Sequence, residues 1–282
     1  MAFRNITFAI LFLASNSWAQ VSYIDYPSPY HSTIGKSGMV VSQNQASSNI
    51  GIEIMKMGGN AIDAAVAVGF SLAITLPRAG NLGGGGFMLI YLSDEKKTIA
   101  VDFRSSAPIN LLKKDFLYLK NNYDERRYGY KASAVPGTVA GLLETHKRYG
   151  KLPLRKILQP VISQAEKGIY VSYDFNQAIG SAVQLTLDIE SRNTYHKNNA
   201  PLKEHMLLYR TNLAWTLKEI AKDGQEAFYK GTIAKKIVKA MQQNGGYISA
   251  QDLTNYQPRF SQPIQTTYRN HKVFAHPPPA GG

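Results

Sequence analysis

Apolar positions recur along most of this chain at helical spacing, and the breaks in the pattern fall at glycine and proline. Ala46 to Met57 reads as an amphipathic helix closed by Gly58-Gly59. Asn60 then caps a second helix, with Asp63 at the reciprocal position of a capping box. Ala61 to Ile74 is apolar nearly all round, the pattern of a buried core helix or a membrane span. At about 1.5 Å per residue it is too short to cross a bilayer, so the pattern predicts core. Pro77 stops it.

Beyond the four glycines Gly83 to Gly86 the period changes. Phe87 to Leu92 is almost wholly apolar and rich in β-formers, which predicts a strand buried on both faces. Asp94-Glu95-Lys96-Lys97 makes a turn. From Thr98 the residues alternate, with Ile99, Val101 and Phe103 facing one way and Ala100, Asp102 and Arg104 the other. Upstream, Met39-Val40-Val41 suits a short strand.

The remaining elements follow in order. Lys113 to Tyr130 is polar, with a short helix and a loop at Asn121-Asn122. Val135-Pro136-Gly137-Thr138 opens a helix that ends at Gly150, with Lys147 and Arg148 where the dipole favours cations. Leu154 to Lys167 is helical, Pro160 kinking or breaking it and Gly168 ending it. Ser172 caps a helix through about Leu187, and Asp188 to Pro201 reads as a polar loop. Leu213 to Lys222 and Thr232 to Gln243 are helices, and Ser249 with Asp252 forms another capping-box pattern. Ile264 to Tyr268 and Lys272 to Ala275 make a hairpin around Asn270. With no internal repeat or low-complexity linker, the pattern predicts one α/β or α+β domain.

Composition changes this picture little. Lys+Arg 32 against Asp+Glu 19 gives a formal charge of +13, but the basic residues are scattered in short pairs such as Lys113-Lys114 and Lys235-Lys236. Solvated faces explain that balance, and an acidic partner chain would also fit it; no aromatic platform for nucleic acid accompanies the charge. There is no cysteine, so disulfides and thiolate chemistry are excluded. Arg4, the apolar Ile6 to Ala14 and Ser17-Trp18-Ala19 together read as a secretory signal peptide over residues 1–19, which predicts a periplasmic or secreted protein. Gln20 to Ser37 reads as an extended lead-in.

Candidate chemistry is sparse. Arg104, at the end of a core strand beside Ser105 and Ser106, is a guanidinium fork suited to a carboxylate. The glycine run lacks the strand, loop, helix order and the spacing of a phosphate loop, and reads instead as close backbone approach. The Pro136-Gly137-Thr138 helix start offers either an anion site or a simple helix entry, and the entry is favoured. No two of the six histidines share i, i+4 spacing and no Gly-x-Ser-x-Gly elbow occurs. Neither a metal site nor a cofactor is therefore expected.

Several stretches together carry a resemblance. Leu76-Pro77-x-x-x-Asn81-Leu82 with Gly83 to Phe87, Asp102-Phe103-Arg104 with Ala107-Pro108, Gly58 to Ala65, Val135 to Gly141, Phe228 to Gly231 and Pro277 to Pro279 resemble the large-subunit portion of gamma-glutamyltranspeptidases in the same order. The resemblance covers about Gly38 to Gly282. It implies a four-layer αββα sandwich of the N-terminal-nucleophile hydrolase type, partial here. It also implies a precursor that cuts itself in two, exposing a threonine whose own α-amino group is the base, because a hydroxyl is a poor nucleophile until an amine accepts its proton.

The implied substrate is glutathione or another gamma-glutamyl amide, with transfer to water or an amino acid. The implied partner is the small subunit of the same precursor, and Arg104 matches the arginine that grips the α-carboxylate. The sequence departs from the family at Ser105, where many members carry an acidic residue. It departs again at Ala280-Gly281-Gly282, where two serines usually precede the glycines. On the resemblance the chain ends before the nucleophile, so no catalytic residue is expected in it. Thr266-Thr267 sits inside the predicted hairpin with too few residues after it to build an oxyanion hole. Residues 20–282 are then the large-subunit part of one domain. A related acylase, or a secreted fragment that binds an amino-acid carboxylate without turnover, are the alternatives.

Overall fold

A computed structural model describes residues 34–121 and 123–281. The expected signal peptide, and most of the lead-in, lie outside the described residues. Ile34–Gly38 belong to a separate first unit and are exposed; Met39–Gly282 form the second.

The second unit opens on two helices joined by a glycine turn. Gln45–Lys56 is capped by Asn44, whose side chain accepts from the N–H groups of Ala46 and Ser47. Ala61–Thr75 starts with the full capping box, Asn60 and Asp63 each accepting from the other's end of the first turn. The second helix is core, as its pattern requires: Val66, Ala67, Phe70 and Ile74 are fully buried. Between the two helices Ser47 Oγ meets Ser71 Oγ and Thr75 Oγ1, each at 2.8 Å. Ser71 donates on to Gln164 Oε1, so this buried polar cluster is satisfied internally. Met39–Val41 is not a strand; Val40 lies against the Gly51 turn of the first helix, and Met39 and Val41 are exposed with no strand beside them among the described residues.

Strands β1 (Phe87–Leu92) and β2 (Lys97–Asp102) form an antiparallel hairpin, joined through a turn in which Lys96 adopts positive φ. Ile90, Ile99, Val101 and Phe103 make a buried cluster with Met88, Tyr149 and Phe260. The expectation that β1 is buried on both faces is not met. Phe87, Leu89 and Tyr91 are exposed while Ile90 is buried, because helices cover only one face of this sheet among the described residues. An apolar run does not itself say how many faces are covered.

The chain then runs through helices Lys113–Asn121 and Tyr123–Arg127 to Thr138–Tyr149 and Leu154–Lys167. Pro160 does not break the last of these. Ile157, Leu158, Val161, Ile162 and Ala165 are buried on both sides of it, and that packing outweighs the roughly 3 kcal/mol a helical proline costs. A satellite cluster follows, built on Val171, Ile179, Leu202 and Leu208. It contains β3 (Ile169–Tyr170), the Ser172-capped helix Tyr173–Ser181 and the helix Ile189–Tyr195. It also contains β4 (His196–Lys197), β5 (Ala200–Pro201) and β6 (Leu207–Leu208). Asp188 to Pro201 is thus not a loop. Asp188 caps the Ile189–Tyr195 helix, and Asn198 and Asn199, at φ 52° and 59°, turn β4 into β5.

Helices Thr211–Asp223, Gln225–Tyr229 and Thr232–Gln243 complete the main core, with Leu217 and Ile220 fully buried. The short Ala250–Asn255 helix carries the second capping box. It leads into β7 (Arg259–Ser261), which the sequence pattern did not reveal and which pairs with β2 as the third strand of the sheet. Strands β8 (Ile264–Tyr268) and β9 (His271–Ala275) form the predicted hairpin around Arg269 and Asn270, both at positive φ. The class is α+β: among the described residues every pairing of strands is antiparallel, and helices stack on one face of the main sheet. No described helix is long and apolar enough to cross a membrane.

Candidate functional site

The glycine run and the strand end carrying Arg104 meet. The N–H of Phe103 donates to Gly86 O at 3.0 Å and that of Gly86 to Phe103 O at 3.3 Å, extending the hairpin beyond its ladder. Where the pairing stops, Gly85 passes beneath Arg104. A Cβ on Gly85 would lie 2.7 Å from Arg104 Cα and against Phe103 O and Ser105 N. Only glycine fits there. A Cβ on Gly86 would meet the Phe103 ring at 2.8 Å. Close backbone approach is therefore what the run provides.

The Thr138–Tyr149 helix starts on the same loop. Gly137 and Thr138 direct their N–H groups at Gly84 O, at 2.7 and 3.0 Å, and Ala140 N–H donates to the Tyr229 hydroxyl at 3.1 Å. These first-turn donors are occupied by the protein, so the anion reading of Pro136-Gly137-Thr138 gives way to the helix entry. Tyr229 in turn donates to Pro136 O at 2.8 Å and stacks on Tyr256, with ring centroids 5.9 Å apart and planes 9° from parallel.

Arg104 itself stands two residues past the last ladder residue of β2, and its side chain is exposed. Among the described residues its guanidinium has no hydrogen bond or ion pair. Its backbone does: the N–H donates to Asp102 Oδ1 at 2.9 Å and the carbonyl accepts from Tyr256 Oη at 2.9 Å. Asp102 also faces Arg259 Nη2 at 3.3 Å, across the β2–β7 pairing. Burial pushes the Tyr256 phenol up to about 12, the Asp102 carboxylate adding to the shift and Arg259 opposing it. Tyr229 is raised too, chiefly by burial. Both phenols stay protonated in the neutral range and act as donors.

The site therefore gathers the glycine run, Asp102 to Ser106, Val135 to Thr138 and Tyr229, all stretches that the sequence singled out. Ser106 and Val135 pair by a backbone bridge that ties two of them together. The sequence places Asp102 beside Arg104 on one strand face without showing the bond between them, and it brings neither Tyr256 nor Arg259 to the site. The Asp-x-Arg spacing was a signal for that bond, since an aspartate readily accepts from the N–H two residues on. Nothing local marks Tyr256.

A concavity of about 190 Å³ is lined by Asn44, Thr75, Arg78, Ser172 and Asp174, on other elements, and Arg104 is not part of its wall. Thr266 and Thr267 lie exposed in β8, facing Val273 and Lys272 in the hairpin, and no hydrogen bond joins either hydroxyl to a base among the described residues. Among the described residues no group of three or more His, Asp or Glu is placed to hold a metal.

Comparison with known proteins meets this geometry from outside. The family model for gamma-glutamyltranspeptidase matches residues 47–282. The glutathione hydrolase proenzyme of Escherichia coli (strain K12) is 42% identical over 267 residues, 93% of this chain and 46% of that protein. The crystal structure of gamma-glutamyltranspeptidase from Helicobacter pylori superposes with a TM-score of 0.85 at 36% identity, covering 89% of this chain and 72% of the other. An acylase proenzyme, ACY 1 of Pseudomonas sp. (strain V22), is 35% identical over 87% of this chain and 46% of its own length. The chain spans about half the length of the curated relatives it matches. The fold is the N-terminal-nucleophile hydrolase type in part, helices on one face of a sheet. The chain belongs to the gamma-glutamyltranspeptidase family.

Proposed function

We propose that this chain is the large-subunit part, over residues 20–282, of a self-cleaving precursor. Its task would be to cleave the gamma-glutamyl amide of glutathione and related donors and pass the acyl group to water or an amino acid. The observation that carries the reading is Arg104: an exposed guanidinium without a partner among the described residues, on a backbone fixed at both ends, within the motifs shared with glutathione hydrolase proenzymes. A planar fork of this kind suits the two oxygens of an α-carboxylate. Gripping that carboxylate orients the donor so that its side-chain amide reaches a fixed point, and such orientation lowers the barrier before any chemistry begins.

The nucleophile in this reading is the threonine that self-cleavage exposes at the start of the small subunit, activated by its own α-amino group. The small subunit would cover the outward face of β1, where Phe87, Leu89 and Tyr91 now stand exposed. In this reading the large-subunit part supplies the carboxylate grip and the small subunit the nucleophile, so purified residues 20–282 should show no turnover. Export to the periplasm or the medium fits the signal-like first residues.

The test is hydrolysis of a gamma-glutamyl anilide by the complete precursor. R104A should lower kcat/KM by about 10²-fold or more, since a bidentate charged pair is lost. Unchanged activity in R104A would remove Arg104 from the site. A second reading, an acylase acting on the side-chain amide of another acid, is favoured by the similarity to ACY 1 and by Ser105 beside Arg104. Cleavage of another acyl amide with none of the gamma-glutamyl anilide would select it.

A further inference from the structure

Both peptide groups flanking the Arg104 Cα are tied down, by side chains from opposite directions. On the amino side, Asp102 Oδ1 accepts the Arg104 N–H, and the carbonyl of the same peptide, Phe103 O, accepts from Gly86 N–H. On the carboxyl side, Tyr256 Oη donates to Arg104 O. Tyr256 comes from the far end of the chain, and its ring is held flat against Tyr229, whose own hydroxyl is anchored on both Pro136 O and Ala140 N. Gly137 leaves space for this hydroxyl, because a Cβ there would collide with both Tyr256 Oη and Phe103 O. Fixing both peptides fixes φ and ψ of Arg104, and so the direction in which its side chain leaves the backbone. The guanidinium itself is left uncommitted among the described residues.

We propose that Asp102 and Tyr256 are positioning residues for Arg104, a two-point clamp that aims the guanidinium at the substrate carboxylate in advance. The proposal rests on the reading of Arg104 as the carboxylate grip. Two observations favour this role over simple backbone satisfaction. Arg104 is exposed as a residue, yet its N–H and its carbonyl are each met by a side chain of the protein, Asp102 and Tyr256. The other partner of Asp102, Arg259, is 80% exposed against 11% for the Asp102 side chain, so solvent screens that ion pair from the arginine's side. The larger consequence of the Asp102 carboxylate is therefore the bond to Arg104. A pre-aimed arginine loses less conformational freedom on binding, and affinity rises without any new contact to the ligand.

The experiment measures L-glutamate binding to the complete, processed precursor by calorimetry, with NMR of the Arg104 amide and carbonyl. Wild type should bind and R104A should not. Y256F keeps the ring on Tyr229 and removes only the donor; it should weaken binding by about threefold to tenfold and shift the Arg104 carbonyl resonance. D102A should weaken binding similarly and speed exchange of the Arg104 amide hydrogen. D102N still offers an oxygen to that N–H and should recover most of both losses, which a purely electrostatic role of the carboxylate would not allow. Glutamate affinity equal to wild type in both Y256F and D102A, with R104A inactive in binding, would overturn the clamp and leave the grip standing. Binding retained in R104A, or absent in wild type, would overturn the grip and the clamp with it.

Discussion

Gly84 and Gly137 are joined directly, the N–H of Gly137 donating to the carbonyl of Gly84 at 2.7 Å. This bond hooks the start of the Thr138–Tyr149 helix onto the glycine run, and through Gly85 and Gly86 onto the strand end that carries Arg104. The run is thus a junction of backbones packed at distances that exclude side chains, and its glycines are not equivalent.

That inequality is testable. Gly85→Ala would push a methyl into the backbone of Phe103, Arg104 and Ser105, none of which is the end of a flexible side chain. It should destabilise the protein by about 1–3 kcal/mol. A Cβ on Gly83 meets nothing nearer than Asn81 Oδ1 at 4.0 Å, so Gly83→Ala should stay within about 0.5 kcal/mol of wild type. Urea midpoints of the two variants compare them directly, and equal midpoints would contradict the close approach.

Tyr229→Phe removes a buried hydroxyl that both donates to Pro136 O and accepts from Ala140 N–H. Two backbone groups at the helix entry lose their partner while the ring and its packing remain. The expected loss is about 1–3 kcal/mol, read as a lower melting temperature. A variant as stable as wild type would mean that water replaces the hydroxyl.

How much of this was legible beforehand depended on the range of the signal. Asn60 with Asp63, and Ser249 with Asp252, were readable as capping boxes because both partners lie within one turn. Gly85 was readable as close approach because four glycines in a row leave few other uses. Tyr256 was not, since its partner Arg104 is most of the chain away and an isolated tyrosine carries no local pattern. The outer face of β1 reads as buried from sequence because Phe87, Leu89 and Tyr91 are as apolar as the inner residues, and an apolar pattern carries no signal for what covers it. Asn198-Asn199 did carry a hairpin signal, masked by the polar residues around it.

Asp63 offers a sharper test of buried charge. It is fully buried, accepts from the backbone N–H groups of Asn60, Lys151 and Leu152, and lies 3.6 Å from His146 Nε2. One carboxylate thus closes the start of the Ala61–Thr75 helix and the loop after Tyr149. Asp63→Ala should cost about 3 kcal/mol or more, because several buried donors are orphaned together. Asp63→Asn keeps one acceptor but turns an NH₂ toward N–H donors, and should fall between alanine and wild type. Chemical denaturation of the three proteins orders them, and an Asn variant below Ala would overturn the assignment.

Asp252 links the second capping box to acid stability. Burial alone would raise its pKa. The Ser249 hydroxyl and the backbone N–H groups of Ile109 and Ser249, the last two at 2.6 and 2.8 Å, outweigh burial and hold it below its ordinary 3.8. A carboxyl depressed on folding contributes stability that is fully present above its unfolded value and is lost as the pH falls through its folded one. Wild type should therefore exceed Asp252→Asn by about 1 kcal/mol at pH 7, the usual worth of a cap. That margin should hold down to about the ordinary value of 3.8 and shrink below it, where the folded carboxylate takes up its proton. Denaturant titrations of both proteins across pH 2.5–7, roughly the span of the linkage, measure the margin at each step. A margin that stays constant into the acid range would show that Asp252 acts through its shape and not its charge.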